Sequence, residues 1–147
     1  MKKQILSVVV TLSVIITLSV AVLAGLSRNL KATIPFDFMV NGKTLPAGEY
    51  VVEQGSNHHV LVIRSWKTRQ AAASITMECK ANADGKPQLI FRRYGDQYFL
   101  AKVLSPTGGN ELVKSKAERE AARAKRDHLA MKDAAPEIVT VSAEFGQ

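Results

Sequence analysis

Arg64-Ser65-Trp66-Lys67-Thr68-Arg69 holds the densest recognition chemistry in the chain, a tryptophan flanked by three cations. An indole stacks on sugar rings and attracts cations, while Arg64, Lys67 and Arg69 add charge for an anionic partner. Arg92-Arg93-Tyr94 resembles that segment in composition. A second basic set is Lys116, Arg119, Arg123 and Arg126, whose steps of three, four and three line one face of a helix. Both sets have a plainer reading, and it is preferred. Trp66 is expected to close one end of a barrel with the cations snorkelling around it, and the helix cations to form a solvated face. Where either set does recognise a ligand, its chemistry suits an anionic envelope polymer, a glycan or a lipid headgroup, and salt should weaken whatever part of the binding is electrostatic.

Catalytic and metal chemistry find no comparable support. His58 and His59 are adjacent, so on a strand they point to opposite faces and cannot share a metal; His128 is remote from both. Glu49 and Glu53 share one strand face, where their expected role is solubility. Ser, His and Asp occur without a nucleophile elbow or any other motif context. The expectation is a non-enzymatic accessory or binding module of the cell envelope or extracellular space, with no cofactor and no metal. The competing classes are an enzyme whose site is assembled from scattered loop residues, and a structural protein of the envelope. Cys79 is the only cysteine, so no intramolecular disulfide staples the fold. It is expected to be buried as a small hydrophobe, with pairing to a second chain as the alternative.

The address is clearer than the activity. Lys2 and Lys3 precede an uncharged apolar run from Ile5 to Leu26. A cleaved export signal has roughly 7–15 apolar residues and a spanning helix roughly 20. This run has the length of a span, but serines and threonines dilute it, and Val22-Leu23-Ala24 suits cleavage before Gly25. Residues 1–24 are therefore read as a signal peptide, or as a retained anchor extending to about residue 26. The destination is the periplasm or the extracellular space, with membrane contact only through this N-terminal segment. Nucleic acid ranks last among partners, since export removes it and no aromatic-basic RNA motif is present. The remaining residues, about 120, make one domain with one core.

The elements that must position these residues are mostly strands. Residues 25–32 are expected to be a linker and 33–113 an antiparallel β domain. Ile34, Phe36, Phe38 and Val40 alternate with Pro35, Asp37 and Met39, and Asn41-Gly42 supplies a tight reversal. Ala71, Ala73, Ile75 and Met77 share one side of a later strand. Gly95-Asp96 reverses a pair rich in aromatics, from which Phe91 and one of Tyr98 and Phe99 should anchor the core. Ser105 to Gly109 reads as turn throughout. Ser115-Lys116-Ala117-Glu118 is a capping box, the Ser115 hydroxyl accepting the Glu118 N–H and the Glu118 carboxylate reaching back. A helix over 114–133 follows, with an apolar stripe of Ala117, Ala121, Ala124 and Met131. Residues 134–147 are a tail or a last short strand. The spacing predicts a mainly β fold, a small antiparallel sandwich or barrel of about six to seven strands with one C-terminal α-helix, preceded by the N-terminal signal or anchor helix.

Phe36-Asp37-Phe38-Met39-Val40-Asn41-Gly42 leading to Leu45-Pro46-Ala47-Gly48-Glu49-Tyr50 forms one recognisable segment. Leu89-Ile90-Phe91-Arg92-Arg93-Tyr94-Gly95-Asp96-Gln97-Tyr98-Phe99-Leu100, followed by Ser115 to Arg119, forms another. Together they resemble a group of small uncharacterised exported proteins of acidobacteria-type soil bacteria. The resemblance spans most of the mature domain. It implies export and a compact β-rich domain, and brings no activity and no site residues.

Overall fold

The computed structural model describes residues 29–55, 57, 59–129 and 135–146. The export segment 1–24 or anchor to residue 26, the cleavage point before Gly25, most of the linker, His58 and Met131 lie outside the described residues. Among those described are eleven strands: β1 (Leu30–Ile34), β2 (Phe38–Val40), β3 (Lys43–Leu45), β4 (Gly48–Gln54), β5 (Val60–Ser65), β6 (Ala71–Cys79), β7 (Gln88–Tyr94), β8 (Gln97–Ser105), β9 (Gly108–Leu112), β10 (Glu137–Ser142) and β11 (Glu144–Phe145). One helix, α1 (Lys116–Leu129), separates β9 from β10. No described helix is long and apolar enough to cross a membrane.

The mainly β class with one helix stands, but the strands number eleven rather than six or seven and form one open sheet, not a closed barrel. The hydrogen-bonded order is β10-β7-β8-β9-β6-β5-β4-β1-β11, with the β2–β3 hairpin beside β8. Strand β6 joins the two halves. Its Ala71–Ile75 stretch pairs with β5 and its Thr76–Cys79 stretch with β9. The C-terminal segment repeats the device. β10 lies along β7, β11 pairs with β1 at Leu30 and Lys31, and only the buried Ala143 separates them. The two ends of the sheet are thus consecutive in the chain. Of the stretch expected to be a tail or a last short strand, Glu137–Ser142 and Glu144–Phe145 are part of the sheet. Strand structure also takes over the end of the linker, because Leu30, Lys31 and Ala32 pair with Val52, Val51 and Tyr50 of β4.

Local chemistry explains several boundaries. Asn41 and Gly42 both take positive φ, which a two-residue hairpin needs, and Val40 pairs with Lys43 across it. The expected single strand from Ile34 to Val40 breaks in two: Pro35 has no N–H to offer, and the Asp37 carboxylate accepts the Ala47 N–H at 2.8 Å. The Ser105–Gly109 turn shrinks to Pro106-Thr107, since Ser105 already pairs with Gly108. Gly109 lies where β9 squeezes between β6 and β8. A Cβ there would meet Leu104 Cδ2 at 2.6 Å and Cys79 Sγ at 2.8 Å.

The main core is enclosed by the sheet's concave face. Phe38 packs edge-on against Tyr50 and Phe91 at 5.0 and 5.5 Å between ring centres, with Ile34, Leu45, Ile63 and Leu89 fully buried around them. Each such side chain contributes about 1.5–3 kcal/mol. One expectation is reversed. On β6 the interior face is Ala72, Ser74 and Thr76, leaving Ile75 66% and Met77 59% exposed. In the aromatic hairpin, Tyr98 borders the main core, stacked on Phe36 at 3.9 Å, whereas Phe99 is buried outside it against Tyr94.

Tyr94 belongs to a second, smaller packing site beneath α1. The Ser115 hydroxyl accepts the Glu118 N–H at 3.2 Å, as a capping box requires. The Glu118 carboxylate does not reach back. It is 3% exposed and lies 2.9 Å from Arg92 Nε, off the axis of a linear hydrogen bond, while the Tyr94 hydroxyl hydrogen-bonds to it. Burial pushes the Glu118 carboxyl above the usual range, more than Arg92, Lys114 and Tyr94 pull it down.

Glu118→Ala should cost up to about 3–5 kcal/mol in urea unfolding, because it leaves the buried Arg92 guanidinium only the more distant Glu111 carboxylate at 4.0 Å. Arg92→Met combined with Glu118→Leu should recover most of that loss; equal losses in both variants would refute the explanation. The folded chain binds the Glu118 proton more tightly than the unfolded chain. Its contribution to stability is therefore full below the ordinary carboxyl pKa and declines as pH rises through the raised one. Glu118→Gln should flatten that slope. Gly109→Ala should destabilise by about 1–3 kcal/mol through overpacking, measured in the same way.

Candidate functional site

Strand alternation decides where Trp66 points. Ser65 is buried on the concave side, so Arg64 and Trp66 fall on the convex face of β4 and β5. The ladder reaches one residue past β5 through the Trp66 N–H, which donates to the Glu49 carbonyl at 3.3 Å. The chain then reverses through Trp66-Lys67-Thr68-Arg69. The Ser65 N–H donates to the Gln70 carbonyl at 2.8 Å, and the Ser65 hydroxyl accepts the Thr68 N–H at 3.2 Å. Arg69 takes φ of 55° to complete the reversal, a left-handed conformation unusual for a residue with a side chain. Trp66 is consequently 77% exposed and closes nothing, which corrects the preferred sequence reading.

Two cavities share a wall made of Lys31, Val51 and Trp66. The larger, about 560 Å³, sits where β1 and the C-terminal segment part company. Beyond Leu30 and Lys31 that segment forms no ladder with β1, so Ala32 and Thr33 lie on one side of the opening and Val141 and Ser142 on the other. Tyr50 also lines it, with its hydroxyl committed to the Pro46 carbonyl; burial and then the Asp37 charge push that phenol's pKa up. The smaller cavity, about 260 Å³, brings Arg64, Arg69 and Glu53 to the same indole. Both volumes are of the order of small-ligand sites, about 300–1,000 Å³.

The register supplies carboxylates that proximity in sequence does not reveal. Val51 pairs with Arg64 and Lys31 with Val51, so Glu49 and Glu53 flank the cation row. Arg64 lies 3.6 Å from Glu53, and Lys67 lies 3.7 Å from Glu49. Glu144 of β11 is paired with Lys31 across the strand edge. Lys31, Arg64, Lys67 and Arg69 are thereby set among Glu49, Glu53 and Glu144, four cations against three carboxylates. Lys31 and the three glutamates belong to this site although the sequence reading did not include them; the face shared by Glu49 and Glu53 was the one available signal.

The helix cations stand elsewhere. Lys116, Arg119, Arg123 and Arg126 are exposed on α1, which packs on β7, four places along the sheet from β5. Lys116 pairs with Glu120 at 3.8 Å. Of the expected apolar stripe, Ala117 and Ala121 are half-buried and Ala124 is exposed. Arg92 and Arg93 do not form a second tryptophan-like patch either: Arg92 is engaged by Glu118, and Arg93 pairs with Glu137 at 3.2 Å and lies 5.3 Å from the Tyr98 ring centre. Cys79 is half-buried, and its thiol pKa is pushed up chiefly by burial. Among the described residues no three His, Cys, Asp or Glu side chains are grouped to hold a metal ion.

Comparison with protein-family models, curated proteins and solved structures finds no match. The arrangement itself offers an exposed aromatic plane between two cavities, with donors and acceptors on the surrounding strands.

The left-handed turn at Arg69 can be isolated from the rest. Arg69→Gly should leave the hairpin intact, while Arg69→Val, branched at Cβ, should be less stable than Arg69→Gly by about 1–2 kcal/mol. Equal unfolding midpoints for the two variants would show that φ at residue 69 carries no strain.

Proposed function

We propose that this chain is an exported, non-enzymatic binding module of the cell envelope or extracellular space, and that it recognises its ligand on the convex face around Trp66. Export rests on Lys2, Lys3 and the apolar run Ile5–Leu26. Recognition rests above all on the 77% exposure of the indole, since a side chain of that apolar area is normally packed away. The two flanking cavities give the exposure a shape, and the surrounding charges give it directionality. Ladders on both sides of the β5–β6 hairpin hold the backbone that carries the ring before any ligand arrives, which limits the backbone entropy lost on binding.

Retention of the native protein on insoluble cell-envelope polysaccharide should be lost in Trp66→Ala. Urea unfolding of that variant should change by no more than about 0.5 kcal/mol, because the ring is not part of the core. Undiminished retention by a folded Trp66→Ala protein would reject the site. The N-terminal sequence of the native protein in soluble and membrane fractions checks the address; a soluble chain beginning near Gly25 is the expected result.

A further inference from the structure

From the charge pattern around Trp66 we infer that the ligand is an uncharged glycan rather than a polyanion, an inference that rests on the reading of this face as a binding surface. Cations adjoining a tryptophan suggest an anionic partner only while they are counted alone. Here Arg64 is 3.6 Å from Glu53, Lys67 is 3.7 Å from Glu49, and Lys31 has Glu144 opposite it on the neighbouring strand. A polyanion lying across this face meets a carboxylate beside each of those three cations, and like charges so close oppose its approach. Among the described residues only Arg69 of the four cations has no acidic neighbour in the ladder or in an ion pair.

An uncharged sugar chain uses the same pattern in full. Its hydroxyls donate to the carboxylates of Glu49, Glu53 and Glu144 and accept from the guanidinium and ammonium groups beside them. The C–H face of one ring covers the indole. Because the cavities of about 560 and 260 Å³ meet at Lys31, Val51 and Trp66, a chain can run past the indole and contact both. Val51 supplies the apolar floor between them, half-buried in the middle of the charged row.

The test has a built-in reporter, since Trp66 is the only tryptophan and its emission reads this site alone. The native chain is screened on an array of neutral and acidic glycans. Hits are then titrated by Trp66 fluorescence beside a carboxylated form of the same polymer, at low salt and at 0.5 M salt, on the order of the concentrations at which exposed charges are screened within a few ångströms. The expected result is binding to neutral glycans that shifts Trp66 emission and changes less than threefold with salt; in Trp66→Ala, which has no tryptophan and is therefore read on the glycan array, binding falls at least tenfold. Glu49→Gln with Glu53→Gln should weaken neutral-glycan binding several-fold while admitting the carboxylated polymer. Preferential, salt-suppressed binding of acidic glycans that still depends on Trp66 overturns this inference and leaves the binding surface standing. Absence of any Trp66-dependent binding overturns both. A Glu49→Gln, Glu53→Gln variant that binds both polymers more tightly removes the carboxylates from recognition and overturns the inference as well.

Discussion

A sheet must do something with its edges, and in this chain a single C-terminal segment deals with both. β10 adds to β7, Ala143 turns the chain, and β11 adds to β1. The Ala143 N–H donates to the Pro87 carbonyl at 3.0 Å and the Gly146 N–H to the Asn29 carbonyl at 2.7 Å, so the crossing is held on both sides. Exposed edges invite pairing with other chains, and this arrangement shortens both of them. The geometry then sets a requirement for what precedes it. β9 ends beside β6 and β8, whereas β10 must begin beyond β7. The connection has to pass from one side of the β7–β8 pair to the other, and α1 makes that passage across their convex side.

Arg92, Tyr94 and Phe99 are buried because of that route. They lie outside the main core, on the side to which Glu118 ties α1. An ion pair with such limited solvent access is weak evidence for stability on its own, since desolvation opposes the attraction. Its value lies in geometry: one carboxylate in the first turn of the helix meets one guanidinium in the middle of β7. The N-cap at Ser115 fixes where the helix begins, and Glu118 fixes which side faces the sheet. Thereafter α1 is largely exposed, and its cations have the ordinary surroundings of a solvated helix.

Local turn chemistry was legible in the sequence, and pairing partners were not. Asn41-Gly42, Gly95-Asp96 and Ser115 act through backbone dihedrals and nearby N–H groups, which are fixed by adjacent residues. The face of β6 is fixed by something else. Its apolar alternation points to Ile75 and Met77 as the interior set, yet the strand changes partner between Ile75 and Thr76 and buries Ala72, Ser74 and Thr76. Small side chains suit an interior already filled by Phe38, Tyr50 and Phe91, so the tertiary packing overrides the periodicity. β9 was hidden in the same way, because Gly109, which reads as part of a turn, is there to let β9 approach Leu104 and Cys79. Glu118 was assigned its cap by spacing alone, and the buried Arg92 that diverts it lies more than twenty residues away.

The site around Trp66 follows the same division. The six residues Arg64–Arg69 place the indole and its cations together because they form one hairpin, and a hairpin is visible in a sequence. The electrostatic character of the face belongs to the register instead. Shifting β4 by one residue would turn Glu49 and Glu53 inward and leave Arg64 and Lys67 as an uncompensated basic patch. With Val51 opposite Arg64, the carboxylates fall beside the cations, and a surface that counts as basic along the chain is nearly balanced in space. Net charge is a property of composition; ligand selection by charge is a property of strand alignment. On this face the alignment leaves the exposed aromatic plane, rather than an unbalanced set of cations, as the feature that stands out.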